Sequence, residues 1–143
     1  VSGKRVLKAA KEAGEEIVTL YRGVDKWHPR RVKTGTGFIV ETGDAMVKEG
    51  KFVGGGRYLG SRYGKKGYTE VKNKDLWVTT RKEYATGEDF RRAPKKGQIL
   101  LKFEVPKSIY EKQFFRTGVH EGHAIGFYKG GIPKGFLKEV TKF

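Results

Sequence analysis

The chain has 143 residues, 36% of them hydrophobic and 13% aromatic, which is enough for one compact core and too little for two. Its 31 Lys and Arg against 16 Asp and Glu give a formal net charge of +15, which favours an anionic partner such as a nucleic acid or a nucleotide. The lack of cysteine excludes disulfides and thiolate metal sites, and no apolar run is long enough to span a membrane.

The chain begins with a helical pattern that is followed by a strand. Apolar residues at positions 6, 7, 10 and 13 share one helical face, which predicts an N-terminal helix over residues 1–16 with Gly14 near its end. The run "IVTLYRGV" (Ile17–Val24) predicts a buried strand with Arg22 close to its end. A guanidinium there has to reach solvent or meet an anion, because an unpaired buried charge is very costly.

Glycine and basic residues dominate the middle of the chain. We interpret "DKWHPRRVKTGTG" as a basic loop and expect at most a short helix in "FIVETGDAMVKEG". Residues 51–74 are rich in glycine, lysine and arginine, with tyrosines five residues apart, a spacing that fits neither a helix nor a strand. We therefore predict a long loop with room for one short hairpin, and two interpretations of it stay open: a solvated, disordered segment, or a binding loop whose cations contact phosphates and whose rings stack on unpaired bases. The candidate nucleic-acid contacts are Arg57, Tyr58, Arg62, Tyr63, Lys65 and Lys66.

The C-terminal half is predicted to consist mainly of strands. "LWVTT" and the alternating run "QILLKFEVP" are typical strands, and a helix begins in "RKEYATGEDF" between them. "HAIGFYKGG" and "FLKEVTKF" predict two more strands, with a turn beginning at Ile132-Pro133. This order predicts one α+β domain over residues 1–143, with its sheet elements gathered towards the C-terminus.

Nucleotide-binding and metal motifs are incomplete in this sequence. "GTGFIV" lacks the third glycine of a dinucleotide turn, and "YGKK" lacks the first glycine and the hydroxyl of a phosphate-binding loop. His120 and His123 of "HEGH" are three residues apart with no third ligand nearby, so no metal site is expected.

Three short motifs nevertheless occur in a particular order. They are "LYRG" with Arg22, "LWVTTRKEYA" with Thr79 and Thr80, and "GVHEGHAIGFYKGGIPKGFLKEV" with Glu121. In this order the sequence resembles the mono-ADP-ribosyltransferase toxins of the cholera-toxin-like branch, which use an Arg, a Ser-Thr-Ser and a Glu, and which occur as C-terminal domains of bacterial polymorphic toxins. The resemblance covers residues 17–143 and implies a split β-sheet core with a few short helices and long loops.

The resemblance also implies a catalytic set of Arg22, Thr79 and Glu121 that cleaves NAD without a metal. Arg22 would clamp the phosphate or ribose of NAD, and Thr79 stands where the family has its leading serine. Glu121 would stabilise the positive charge that develops on the ribose as the nicotinamide leaves. The implied NAD contacts are Tyr21, Arg22, Gly23, Trp77, Thr79 and Thr80, and Phe127 and Tyr128 are further candidates for a wall that stacks on nicotinamide.

The implied function is that of a toxin or effector that transfers ADP-ribose to a macromolecular acceptor. The charge favours a nucleic acid as this acceptor, RNA before DNA, with protein as the alternative, and hydrolysis of NAD by water is a weaker form of the same reaction. Arginine-modifying members carry Glu or Gln two residues before the catalytic acid, where this chain has Val119, which argues against arginine as the acceptor. The resemblance further implies secretion or delivery from a larger parent protein, action in the target-cell cytoplasm, and an acidic immunity protein as partner.

Two other functions remain open at this point. His120, His123 and a nearby lysine could serve as acid, base and phosphate ligand of a metal-independent ribonuclease, since histidine has a suitable intrinsic pKa. A non-catalytic RNA-binding module would explain the charge and the tyrosines, but not the order of Arg22, the two threonines and Glu121. Taken singly, Arg22 could pair with a surface carboxylate, the threonines could be ordinary strand residues, and Glu121 could be solvated.

Overall fold

A computed structural model describes residues 3–24, 30–34, 37–41, 46–48, 50–53, 75–91, 93–94 and 96–143. Within these ranges the helices and strands are α1 (Gly3–Glu12), β1 (Ile17–Val24), β2 (Arg30–Thr34), β3 (Gly37–Glu41), β4 (Met46–Lys48), β5 (Lys51–Val53), β6 (Leu76–Thr79), α2 (Lys82–Thr86), β7 (Ile99–Pro106), α3 (Lys107–Gln113), β8 (Phe114–His120), β9 (His123–Tyr128), β10 (Ile132–Pro133) and β11 (Leu137–Lys142). Short 3-10 helices occupy Glu88–Phe90 and Lys134–Phe136. This mixture of helices and antiparallel strands confirms the predicted α+β class.

A six-stranded antiparallel sheet forms the centre of the described structure, in the order β11-β7-β1-β6-β9-β8. β1 and β7 pair along their whole length, from Ile17 opposite Pro106 to Val24 opposite Ile99. Smaller groups of strands have the orders β10-β5-β4 and β2-β3. The strands predicted from "IVTLYRGV", "LWVTT", "QILLKFEVP", "HAIGFYKGG" and "FLKEVTKF" are confirmed as β1, β6, β7, β9 and β11.

One face of this sheet carries the hydrophobic core. Successive side chains of a strand point to opposite faces, so Leu20 of β1, Val78 of β6, and Leu101 and Phe103 of β7 are buried on the same side. The Phe103 ring packs edge-on against Phe52 of β5, with 5.3 Å between the ring centroids. Apolar side chains of α1, α3 and β10 complete this cluster. By the same alternation Tyr21, Trp77 and Thr79 lie on the opposite face, whereas the Arg22 side chain, opposite Leu101, starts from the core face.

The helices of the described ranges are short, and none is long and apolar enough to cross a membrane. α1 ends at Glu12, earlier than the predicted helix over residues 1–16. Gly14 then adopts φ +74°, a left-handed conformation that costs glycine little, and its amide donates a 3.1 Å hydrogen bond to the Lys11 carbonyl. The predicted position of Gly14 at the helix end is confirmed.

Several segments predicted to be loops contain strands instead. "DKWHPRRVKTGTG" contains β2, "FIVETGDAMVKEG" contains β3 and β4 rather than a helix, and the first residues of the predicted 51–74 loop form β5. These strands obtain their backbone hydrogen bonds from one another, β2 from β3 and β4 from β5. Such pairing stabilises short strands whose own sequences carry little alternation, which explains why the loop interpretation of residues 30–34 was wrong. The loop predicted over residues 51–74 stays a prediction, because residues 54–74 lie outside the described ranges.

The region before the final strand also differs from the prediction. α3 and β8 were not predicted, and Glu121 lies in the two-residue turn between β8 and β9 rather than in a loop before a lone strand. The turn predicted at Ile132-Pro133 is instead the short strand β10, which pairs with Phe52 and Lys51 of β5. Pairing with β9 stabilises β8, although a register shift between Arg116 and Gly118 interrupts its alternation.

α2 packs directly on the backbone of β1. A Cβ atom added at Gly23 would lie 2.2 Å from the carbonyl oxygen of Ala85, closer than real Cβ contacts approach. Glycine at position 23 is thus required for the helix to lie this close to the strand.

Gly23→Ala is expected to destabilise the fold by about 1–3 kcal/mol, because α2 or β1 has to shift to admit the methyl group. Urea unfolding measures this free energy. The matched control is Gly118→Ala in β8, where an added Cβ meets nothing within 4 Å; it should change stability by less than about 0.5 kcal/mol. Equal stability of the two variants would contradict the close approach of α2.

Candidate active site

A cavity of about 210 Å³ lies where β1 and β6 meet, beneath α2. Its lining comes from residues 21–23 of β1, residues 77–79 of β6, Tyr84 and Ala85 of α2, and Ile125 of β9. The lining therefore contains five predicted NAD contacts, namely Tyr21, Arg22, Gly23, Trp77 and Thr79. Residues that are far apart in the sequence thus converge on one small space.

The sheet opens at this cavity. Between β1 and β6, whose residues are all described, the register contains the single pair of Tyr21 opposite Thr79, whereas β1 pairs with β7 at eight positions. Beyond that pair, the Arg22 side chain continues the connection, because its Nη1 donates a 3.3 Å hydrogen bond to the Trp77 carbonyl. The Nε of Arg22 is buried. A cationic side chain thus occupies the position where a backbone ladder between the two strands ends.

The two threonines at the end of β6 attach this strand to the β8–β9 hairpin. The Thr79 hydroxyl donates to the Ala124 carbonyl at 3.0 Å and accepts from the Arg81 amide at 3.1 Å. The Thr80 hydroxyl accepts from the Ala124 amide at 3.1 Å and lies 3.0 Å from Nδ1 of His123. Thr79 is only 3% exposed, so its hydroxyl holds the backbone at the edge of the cavity.

A charged pair stands beside these threonines. Nε and Nη2 of Arg81 donate to the two oxygens of Asp89 at 2.7 and 2.9 Å, and the Asp89 side chain is 8% exposed. The hydrogen bonds from Arg81 lower the pKa of Asp89 and raise that of Arg81, while burial acts against the charged form of each group. This bidentate pair holds the segment after α2 against the end of β6.

The two histidines face each other across the β8–β9 hairpin, where His120 pairs with His123 in the register. Nε2 of His120 lies 3.4 Å from Oδ2 of Asp89, and the imidazole ring contacts Tyr84 and Phe90. Within the described ranges, no three His, Asp or Glu side chains lie close enough to hold a metal ion. The expectation of a metal-free site stays a prediction, because part of the chain lies outside these ranges.

Glu121 occupies the tip of this hairpin. It is exposed and has φ +50°, and the following Gly122 has φ +77°. The preceding residue, His120, lies 3.4 Å from Asp89, so the turn is on the same side of the molecule as the Arg81–Asp89 pair. Glu121 is not part of the cavity lining, unlike Arg22 and Thr79. The hairpin that carries it is nevertheless fixed to β6 through both threonines.

The remaining predicted residues have different positions. Thr80 is not part of the cavity lining, and Phe127 contacts Trp77 with 5.2 Å between the ring centroids. Tyr128 was wrongly considered for the stacking wall, because alternation along β9 turns it to the core face; it is 2% exposed, and burial raises its pKa to about 12. The predicted nucleic-acid contacts between Arg57 and Lys66 lie outside the described residues.

Sequence reasoning missed Tyr84 and the Arg81–Asp89 pair. Tyr84 lines the cavity because α2 folds back over β1, an approach that Gly23 allows. Arg81 and Asp89 are eight residues apart and on either side of α2, a spacing that no helical or strand periodicity brings together. The glycine of "YRG" was the one available signal for the close approach of another element.

Comparison with known proteins adds no family assignment. No protein-family model matches the chain, and neither a curated protein nor a solved structure shows significant similarity to it.

The Arg81–Asp89 pair predicts a pH dependence of stability. Because the folded-state pKa of Asp89 is lowered, its contribution is fully present above the ordinary carboxyl pKa of 3.8 and is lost as the pH falls through the lowered value. Asp89→Asn should therefore lower the melting temperature at neutral pH, and the difference from the wild type should shrink below about pH 4.

Thermal unfolding followed by circular dichroism across this pH range measures the effect. The control is Glu16→Gln, which removes the exposed ion pair with Lys107 and should change the melting temperature little. A constant difference between Asp89→Asn and wild type at all pH values would contradict the ionic role of Asp89.

Proposed function

We propose that this protein is an NAD-dependent ADP-ribosyltransferase that acts on a macromolecular acceptor. The observation that carries the proposal is the cavity at the opening between β1 and β6, where Arg22, Thr79 and the ring of Trp77 come together. The finer fold assignment, an ADP-ribosyltransferase-like split sheet, is part of the same proposal and is supported by the single register pair between these strands.

The cavity suits one end of the dinucleotide. Its volume of about 210 Å³ is below the roughly 300–1,000 Å³ typical of sites for a whole drug-sized ligand, so it receives one planar ring while the rest of NAD lies outside. Trp77 and Tyr84 provide aromatic surfaces for the nicotinamide. Arg22 at the same opening pairs with a phosphate, for which a planar guanidinium is well matched.

In the reaction, the bond between nicotinamide nitrogen and the ribose anomeric carbon breaks, and nicotinamide leaves with the electron pair. Positive charge develops on the ribose, and the Glu121 carboxylate stabilises it. A nucleophilic oxygen or nitrogen of the acceptor then bonds to that carbon and loses its proton. Thr79 and Thr80 serve this step by holding the hairpin that carries Glu121 beside β6.

The backbone of Glu121 supports a functional role for this residue. Both positions of the turn have positive φ, a conformation for which Asn, Asp and Gly are the favoured residues. A glutamate there is strained, and such strain is commonly found at functional sites.

The net charge of +15 supports RNA as the acceptor and an acidic immunity protein as the neutralising partner. Delivery from a larger parent protein into the target-cell cytoplasm completes the proposal.

A metal-independent ribonuclease is a second candidate, favoured by one specific observation. His120 and His123 are paired across the hairpin, and Asp89 lies 3.4 Å from the former. Two neighbouring imidazoles, one oriented by a carboxylate, can act as base and acid on an RNA phosphate.

The two candidates respond differently to single substitutions. Under the proposed function, Glu121→Gln lowers NAD cleavage and transfer by about a hundredfold or more, because the charge-stabilising carboxylate is lost. His120→Ala retains most of this activity. Release of nicotinamide and labelling of RNA or protein from labelled NAD are measured together, with Glu139→Gln on the exposed side of β11 as the matched control.

Glu121→Asn separates catalysis from folding. Asparagine tolerates the positive φ, so this variant should be at least as stable as the wild type while losing NAD cleavage. An inert wild type, or a Glu121→Gln variant with full activity, refutes the proposed function. RNA shortened without NAD and spared by His120→Ala would establish the ribonuclease, and RNA binding with no turnover of either molecule would establish a binding module.

A further inference from the structure

Three aromatic rings form a row across the outer face of the sheet. Phe115 of β8 is opposite Phe127 of β9, which in turn is opposite Trp77 of β6. Phe115 and Phe127 are stacked, with centroids 5.2 Å apart and planes at 26°, and Phe127 meets Trp77 edge-on at 5.2 Å. We refer to Phe115, Phe127 and Trp77 as the aromatic row.

The row connects the edge of the sheet with the cavity. Phe115 lies on the edge strand β8 and is 49% exposed, although a phenylalanine that served only the core would be buried. Phe127 is half-buried, and Trp77 lines the cavity at the other end. A ligand that lies along the row therefore leads into the space where Arg22 and Thr79 stand.

A cation accompanies the exposed end of the row. Nζ of Lys129 lies 5.3 Å from the centroid of the Phe115 ring, and the Lys129 side chain is exposed. This ammonium group lies over the ring, and the lysine side chain is long enough to turn to a phosphate and leave the ring to a base, so the two residues match one nucleotide unit. The net charge of +15 attracts the same kind of polymer.

We propose that the aromatic row binds a single-stranded nucleic acid. Unpaired bases stack on Phe115 and Phe127, and Lys129 contacts a phosphate. The nucleic-acid strand then continues towards the cavity. A duplex does not fit this role, because its bases are already stacked inside the helix. The part of the inference that delivers an acceptor nucleotide to the cavity rests on the proposed function, whereas the binding itself does not.

Binding is tested without NAD, by fluorescence anisotropy with a labelled single strand of roughly a dozen nucleotides. The probe is used as RNA, as DNA of the same sequence, and as the RNA annealed to its complement. The wild type should bind both single strands more tightly than the duplex. Tighter binding of RNA than of DNA would identify RNA as the source of the ligand, and the reverse would identify DNA.

Phe115→Ala should weaken binding of the single strands by about tenfold or more, the usual effect of removing one stacking ring. Phe143→Ala is the matched control, because Phe143 is also exposed but follows β11 at the opposite edge of the sheet; it should bind like the wild type. Phe115→Leu, which retains an apolar side chain but removes the ring, repeats the test if the alanine variant unfolds. Lys129→Ala should reduce the slope of log affinity against log salt by about one.

Unchanged binding by folded Phe115→Ala and Phe115→Leu, or duplex binding as tight as that of the single strands, overturns the inference. Its failure is distinguishable from failure of the proposed function. If the wild type cleaves NAD but Phe115→Ala binds RNA as tightly as the wild type, only the proposed binding by the aromatic row is refuted. If RNA binding depends on Phe115 but the wild type leaves NAD intact, the proposed enzymatic function is refuted and the binding by the aromatic row is supported.

Discussion

The candidate site depends on the way in which two neighbouring strands stop pairing. β1 and β6 pair through their backbones at Tyr21 and Thr79. Beyond this pair the hydrogen bond between the strands comes from a side chain, because Arg22 donates to the Trp77 carbonyl. A buried sheet that opens loses ladder hydrogen bonds, and unpaired backbone groups are costly unless another donor replaces them. Arg22 meets that requirement with one hydrogen bond to the Trp77 carbonyl, and under the proposed function the same cationic residue also pairs with a phosphate of NAD.

The threonines at the end of β6 fix the position of the neighbouring β8–β9 hairpin through hydrogen bonds. Thr79 and Thr80 bond to the backbone of Ala124, and the second also contacts the imidazole of His123. The turn with Glu121 is therefore fixed to the strand that lines the cavity, and Arg81 is fixed by Asp89 on the same side. The two chemistries considered for this protein, a carboxylate acting on ribose and paired imidazoles acting on phosphate, occupy the same hairpin. Single substitutions in the β8–β9 hairpin can therefore distinguish the two chemistries, whereas deletion of the hairpin would remove both sets of residues.

Alternating sequences made much of the sheet predictable. "QILLKFEVP" and "IVTLYRGV" became β7 and β1, because their apolar residues select one face and leave little freedom in register. β8 escaped prediction because a register shift follows Arg116 and because Phe115 is exposed, so its sequence lacks the alternation of a half-buried strand. The order of motifs predicted that Arg22, Thr79 and Glu121 converge; Arg22 and Thr79 line one cavity, whereas Glu121 is not part of its lining. The positions of Tyr84 and Asp89 were not predictable, because both depend on α2 folding back over Gly23.

The most direct measurement of the central claim is a titration of NAD into isotope-labelled Glu121→Gln protein, followed by two-dimensional NMR. If the opening between β1 and β6 is the NAD site, the amide signals of Gly23, Thr79 and Ile125 and the indole signal of Trp77 shift together and saturate. The same titration of Arg22→Ala should show these shifts only at higher NAD concentration. Shifts confined to other parts of the sheet, or none at all with a folded protein, would contradict the account.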